Sequence, residues 1–131
     1  MKYKISSINT FLFFKLPSVW WCGIRVREIS KESCSANVRL GWFNKNPFKS
    51  LFWAVQGMAA ELTTGILMMQ AITASKKNIS MLVLNNKANF SKKAKGLIRF
   101  NCNQGKKINE SINRLLETKK PQTVWVKSHG I

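Results

Sequence analysis

The most constraining feature of this sequence is a long apolar stretch, residues 51–74, in which Glu61 is the single charged side chain. Ser50 is placed to cap a helix at its start, and a lysine pair follows its end, where a helix favours positive charge. The stretch is apolar on nearly every side. In a domain with a packed core, that pattern predicts a central helix at about residues 50–75, wrapped by other structure.

The segments around this helix carry shorter periodic patterns. Apolar residues at helical spacing predict an N-terminal helix at 5–16, which Pro17 should end, and a second helix at 108–117. Alternating or continuous apolar residues predict antiparallel strands at 24–29, 34–40, 79–85, 97–102 and 123–127. The predicted fold class is α+β, with a long helix on an antiparallel sheet, and 131 residues suit a single domain, 1–131.

The charge balance is strongly basic, with 22 Lys and Arg against five acidic residues, a net charge of +17. So few carboxylates argue against acidic metal sites and against catalytic carboxylate pairs. A charge of this size attracts polyanions, which include nucleic acid, an anionic membrane surface and phosphorylated small molecules.

Cysteine and histidine are too sparse to suggest a metal centre. Cys22, Cys34 and Cys102 lie far apart without a CxxC motif, and His129 is the single histidine. We therefore expect no metal, no cofactor, reduced thiols and a cytoplasmic location. The N-terminus has no signal-peptide cleavage pattern, and the longest uncharged run, 62–75, is shorter than the roughly 20 residues of a membrane span.

Glu61 has small neighbours on its helix face, among them Gly57 and Gly65, with Met58 beside them. Two glycines inside a helix cost about 1 kcal/mol each relative to alanine, which favours a packing or binding role for this trough. One interpretation is a buried acid paired with a cation or lying at a dimer seam. The other is a general base on the floor of a tunnel.

The segment from Asn46 through Ser50-Leu-Phe-Trp-Ala54 to Glu61 resembles the helix segment of hotdog-fold thioesterases. It is most similar to an uncharacterised, acyl-CoA thioesterase-like branch, where an acidic residue follows the first small residue by eight positions. The resemblance covers most of the chain. It implies a hotdog fold, in which an antiparallel sheet wraps around a long central helix, a homodimer or homotetramer, and an acyl-CoA or acyl carrier thioester as substrate.

The resemblance also implies roles for individual residues. Glu61 falls on the acid that activates water or attacks the thioester, and the backbone N–H groups of Trp53 and Ala54 fall on the oxyanion donors. Asn44 or Asn46 matches a polar loop residue. The remaining substrate-binding positions would be the helix trough and the lysines that could meet coenzyme A phosphates, namely Gly57, Met58, Gly65, Lys92, Lys93 and Lys95.

Three departures separate this chain from that pattern. Phe52 stands where many members have His, and Trp53 is bulky where Gly is usual. Related proteins continue beyond the position of Ile131 into one more strand, so we expect either a sheet that is one strand short or a sheet edge covered by a partner.

Two alternatives to thioester hydrolysis remain. The first is a noncatalytic hotdog module that binds acyl-CoA or acyl chains. The second is a nucleic-acid binder that stacks bases on tryptophans among basic residues. The absence of an RNP-like strand motif, a helix-turn-helix and a GXXG loop argues against nucleic acid, and basic runs most often serve as solvated surface.

Overall fold

The computed structural model describes residues 4–131. A four-stranded antiparallel sheet has the order β1-β2-β3-β4, and the longest helix is α3, so the predicted α+β class with an antiparallel sheet is confirmed. In chain order the elements are α1 (Ile5–Lys15), α2 (Pro17–Trp21), β1 (Arg25–Ile29), β2 (Cys34–Arg39), α3 (Trp53–Ser75), β3 (Leu97–Cys102), α4 (Gly105–Thr118) and β4 (His129–Gly130).

The predicted hairpin is present. β1 pairs with β2 from Arg25 opposite Asn37 to Ile29 opposite Cys34. The turn is closed by the Ser30 N–H, which donates to the Ser33 carbonyl at 2.8 Å. Along β2 the side chains of Cys34, Ala36 and Val38 are buried in the core, as their alternation predicts.

Helix α3 packs against β2, β3 and α4 along one side only. The buried positions recur at helical spacing on that side: Val55, Ala59, Leu62, Thr63, Ile66, Leu67 and Ala71. The opposite side includes Gly57 and Glu61, which are exposed, and Gly65 and Met68, which are half-buried. The prediction of a fully wrapped helix is therefore wrong for the described chain, because a single sheet face and α4 cover only part of the helix.

Two predicted strands are wrong. Residues 79–91 form no helix or strand, and no backbone hydrogen bond joins them to the sheet among the residues described. Apolar character alone cannot make a strand when no sheet edge is within hydrogen-bonding reach. Residues 123–127 are likewise irregular, and the strand lies just beyond them at His129–Gly130, paired with Asn101 and Phe100.

The helix predictions at the two ends hold with shifted bounds. Pro17 ends α1 but also begins α2, where a proline at the first helical position loses no hydrogen bond. The 108–117 helix begins earlier, at Gly105, whose N–H donates to the Glu32 carbonyl at 2.9 Å. The C-terminal segment is tied to α3 by a 2.7 Å hydrogen bond between the hydroxyls of Thr63 and Ser128.

Candidate functional site

A cleft of about 540 Å³ opens beside the N-terminus of α3. Four of the predicted site residues line it, namely Asn46, Trp53, Lys92 and Lys93. Aromatic rings form much of the remaining wall, from Phe48, Phe52 and Phe90. The cleft therefore combines apolar walls with two lysines.

The loop before α3 and the segment before β3 meet to form this cleft. The Leu51 N–H donates to the Ala94 carbonyl at 2.9 Å, which joins the two segments. The Lys93 ammonium lies 5.8 Å from the centroid of the Phe48 ring, within the range of a cation–π contact. Phe48, Phe90 and Gln56 also line the cleft, and no sequence pattern marks them, because only the tertiary contact between these two segments brings residue 48 near residue 90.

The first turn of α3 has unused backbone donors. Its N-cap, Phe52, makes no side-chain cap hydrogen bond, and the N–H groups of Val55 and Gln56 bond to the Phe52 carbonyl. The N–H groups of Trp53 and Ala54 have no partner within residues 4–131. A helix N-terminus with free donors and a positive dipole end is suited to binding an anionic oxygen. The oxyanion role of these two amides stays a prediction.

Glu61 lies elsewhere on α3. It is exposed, and no ion pair joins it to a cation in the part of the chain that the structure describes. The expectation of a buried, paired acid is therefore wrong for a single chain. Glu61 follows Trp53 by eight residues, which places it about 12 Å along the helix from the free amides at the usual rise per residue.

The trough around Glu61 is open. A Cβ built on Gly57 or on Gly65 would meet no atom within 4 Å. Met58 is half-buried and packs against the core, while Lys95 is exposed and does not line the cleft. The trough and the cleft are thus separate surfaces of one chain.

Asn44 and Asn46 hold the preceding loop together. The buried Asn44 amide donates to the carbonyls of Cys22 at 2.8 Å and Arg39 at 2.9 Å, and its oxygen accepts from the Gly41 N–H at 2.8 Å. Asn46 accepts from the Phe48 and Ser50 N–H groups at 2.9 and 3.2 Å. With their hydrogen-bonding groups engaged in this way, both residues position the start of α3.

Burial governs the thiols. It raises the pKa of Cys34 to about 12, with the neighbouring Cys102 adding to the shift. Burial also raises the pKa of Cys102, against a smaller lowering by a hydrogen bond from the Gln104 backbone, and it raises the pKa of Cys22. All three are free thiols, and a raised pKa makes a thiol a poor nucleophile.

One guanidinium is also perturbed. Burial, and then the charge of Arg27, lower the pKa of Arg25, whose guanidinium lies 3.4 Å from the centroid of the Trp20 ring.

Within residues 4–131, no group of three or more His, Cys, Asp or Glu side chains could hold a metal ion. No helix in that range is both long and apolar enough to cross a membrane.

Comparison with known proteins places this chain in a family. The model of a domain of unknown function (DUF4442) matches residues 6–128, so the chain belongs to that family. The structure is similar to the crystal structure of the protein OLEI01261, of unknown function, from Chlorobaculum tepidum TLS, with a TM-score of 0.73 and 13% identity. The similarity covers 86% of this chain and 69% of that one, and it shows a shared fold alone. No curated protein matches.

Proposed function

We propose that the chain is a hotdog-fold domain that hydrolyses acyl thioesters as a homodimer or larger even-numbered assembly. The observation that carries the proposal is the cleft at the N-terminus of α3, which has apolar walls and two lysines and lies beside the first helical turn with its two free backbone amides. An acyl-CoA or acyl carrier thioester has matching parts, namely an apolar chain, a carbonyl oxygen and a phosphorylated carrier.

Each wall of the cleft suits one part of that substrate. The rings of Phe48, Phe52 and Phe90 offer apolar surface for an acyl or aryl chain. Lys92 and Lys93 are exposed and can act as point charges on phosphates. The Trp53 and Ala54 amides would donate to the oxygen of the tetrahedral intermediate.

A second copy of the chain would complete the site. A carboxylate about 12 Å along the helix from the amides cannot reach the same carbonyl within one chain. The open trough at Gly57 and Gly65 accepts a close approach by another backbone, as at small-residue helix contacts. No lysine or arginine lies between Lys49 and Lys76, so this face avoids the repulsion that a net charge of +17 imposes elsewhere.

The proposed reaction needs no group beyond water. Glu61 of one protomer takes a proton from water while the water oxygen bonds to the thioester carbonyl carbon, and the oxyanion rests on the Trp53 and Ala54 amides of the other. The carbon–sulfur bond then breaks, the carbonyl re-forms as a carboxylic acid, and the proton returns to the leaving thiolate. The expected location is cytoplasmic, where reduced thiols persist.

The substitution Glu61→Gln tests this function. It removes the base with little change in size, so hydrolysis of a panel of acyl-CoA lengths should fall by about 10² or more. Because Glu61 is exposed and unpaired within the described chain, the melting temperature should not change at concentrations where the protein is monomeric. Glu110→Gln, a change of another exposed glutamate, on α4, is the matched control and should leave turnover unchanged.

A noncatalytic acyl-binding module is the second candidate, favoured by the bulky Trp53 at the position of an oxyanion glycine. In that case acyl-CoA should raise the melting temperature of wild type and of the Glu61→Gln variant equally, with no turnover in either. Unchanged hydrolysis in a folded Glu61→Gln variant would remove Glu61 as the base.

A further inference from the structure

Six aromatic residues of α1, α2 and the loop after β2 form two neighbouring groups of contacting rings, together called the aromatic cluster, that the proposed function does not use; five are exposed and Trp20 is half-buried. Trp21, Trp42 and Phe43 are 62%, 75% and 68% exposed. They contact one another, with ring centroids 6.2 Å apart for Trp21 and Phe43 and 5.2 Å apart for Trp42 and Phe43. The second group in this aromatic cluster is Phe13, Phe14 and Trp20, in which the Phe13 ring contacts both of the other rings.

The fold holds these rings in place at the surface. Asn44 binds the carbonyl of Cys22, next to Trp21, and the N–H of Gly41, next to Trp42. It thereby fixes the loop that carries Trp42 and Phe43 against the end of α2, because a buried amide with three hydrogen bonds is costly to displace. Exposed apolar patches that are held in position mark interaction surfaces.

Among the described residues, the charged side chains that contact a ring of the aromatic cluster are positive. Lys15 follows Phe14 directly, the Arg25 guanidinium covers the Trp20 ring, and the Lys45 ammonium lies 6.0 Å from the centroid of the Trp42 ring. No acidic residue occurs from residue 4 to 27 or from 33 to 60. The ligand of this surface must therefore accept apolar rings and carry negative charge.

We propose that the aromatic cluster docks on an anionic lipid bilayer surface. Tryptophan and phenylalanine at a bilayer interface bury their rings among the headgroups and upper acyl chains, while adjacent lysines and arginines contact anionic lipid. This inference is independent of Glu61 and of thioester hydrolysis.

Two other occupants fit the surface less well. A second copy of this chain would bring basic faces together at +17 each, which opposes association there. A single-stranded nucleic acid needs exposed ring faces along a basic groove. In the aromatic cluster, Arg25 covers Trp20, and most of the ring contacts are edge-to-face within the cluster itself.

Vesicle co-sedimentation of the full chain tests the proposal. Vesicles of phosphatidylcholine with about 30 mol% phosphatidylglycerol should bind the protein at least ten times more tightly than phosphatidylcholine alone. The double variant W42S/F43S should lose about tenfold or more of this affinity, since both rings supply apolar contact. Trp125→Ser is the matched control, because Trp125 is 59% exposed but lies outside the cluster, and it should change binding less than about twofold.

A second measurement reports the rings directly. Lipids brominated in the upper acyl chain should quench tryptophan fluorescence of the wild type and of Trp125→Ser, and should quench W42S/F43S less. The proposal would be overturned if W42S/F43S bound the anionic vesicles as tightly as the wild type does, or if the wild type did not bind them. Tighter binding to single-stranded DNA than to these vesicles, with loss in W42S/F43S, would also overturn it and favour nucleic acid. A self-association that W42S/F43S abolishes would overturn it in favour of a second copy.

Discussion

Replacing Gly65 of α3 by alanine tests the conclusion that one side of the central helix is uncovered. A Cβ at this position would meet no atom within 4 Å, so the substitution introduces no clash within the described chain. Glycine in a helix interior is about 1 kcal/mol less favourable than alanine, chiefly because it loses more backbone entropy on folding. Gly65→Ala should therefore stabilise an isolated chain by about 1 kcal/mol, or roughly 3–5 °C in melting temperature for a domain of this size.

The assay is urea unfolding at several protein concentrations, together with sedimentation. At concentrations where the protein is monomeric, Gly65→Ala should raise the unfolding midpoint without changing the slope. If a second copy docks on the trough, the same variant should also dissociate more readily, because the added methyl group separates the two helices. Gly65→Ala should thus raise the free energy of unfolding of the monomer and weaken the association of the dimer.

Gly105→Ala is the matched control. A Cβ there would overlap the backbone of Glu32 and lie 2.5 Å from the Lys31 carbonyl oxygen, so this variant should lose about 1–3 kcal/mol or more. A Gly65→Ala variant that is destabilised in the monomer, as Gly105→Ala is expected to be, would refute the open trough. It would mean that another part of the chain covers the central helix.

The Asn44 side chain, the Cys34 thiol and the two cleft lysines each give a further prediction. Asn44→Ala should cost about 2–4 kcal/mol in urea unfolding, because it removes a buried amide that makes three part-buried hydrogen bonds, to the carbonyls of Cys22 and Arg39 and from the Gly41 N–H. Cys34 has a folded pKa of about 12 against an ordinary 9.0, so its contribution to stability is complete below pH 9 and is lost as pH rises toward 12. The free energy of unfolding should fall with rising pH across that range, and it should fall less steeply in Cys34→Ala than in the wild type, by up to about 1.4 kcal/mol per pH unit. The double variant K92A/K93A should raise KM for acyl-CoA several-fold but leave KM for a thioester without phosphates unchanged, as competing substrates in one turnover assay would show.

Local patterns in the sequence were sufficient for most elements. The hairpin of β1 and β2, the strand Leu97–Cys102 and the helices α3 and α4 form where periodicity and turn residues favour them. These signals lie within a few residues of each other, so they predict the element without any information about the rest of the chain. The free amides at Trp53 and Ala54 were expected only from the resemblance, because the predicted cap at Ser50 is wrong and the helix begins after Phe52.

Tertiary structure decided which apolar surfaces are covered. Residues 79–85 are as apolar as a buried strand but pair with no sheet edge in the described chain, and the two-sided apolar α3 is covered on one side only. Tertiary structure also decided which residues line the cleft. The segments that carry Phe48 and Lys92 are joined there by the hydrogen bond from the Leu51 N–H to the Ala94 carbonyl. Burying an apolar side chain lowers the free energy of the folded chain, whichever partner buries it. Long-range packing decides which partner that is.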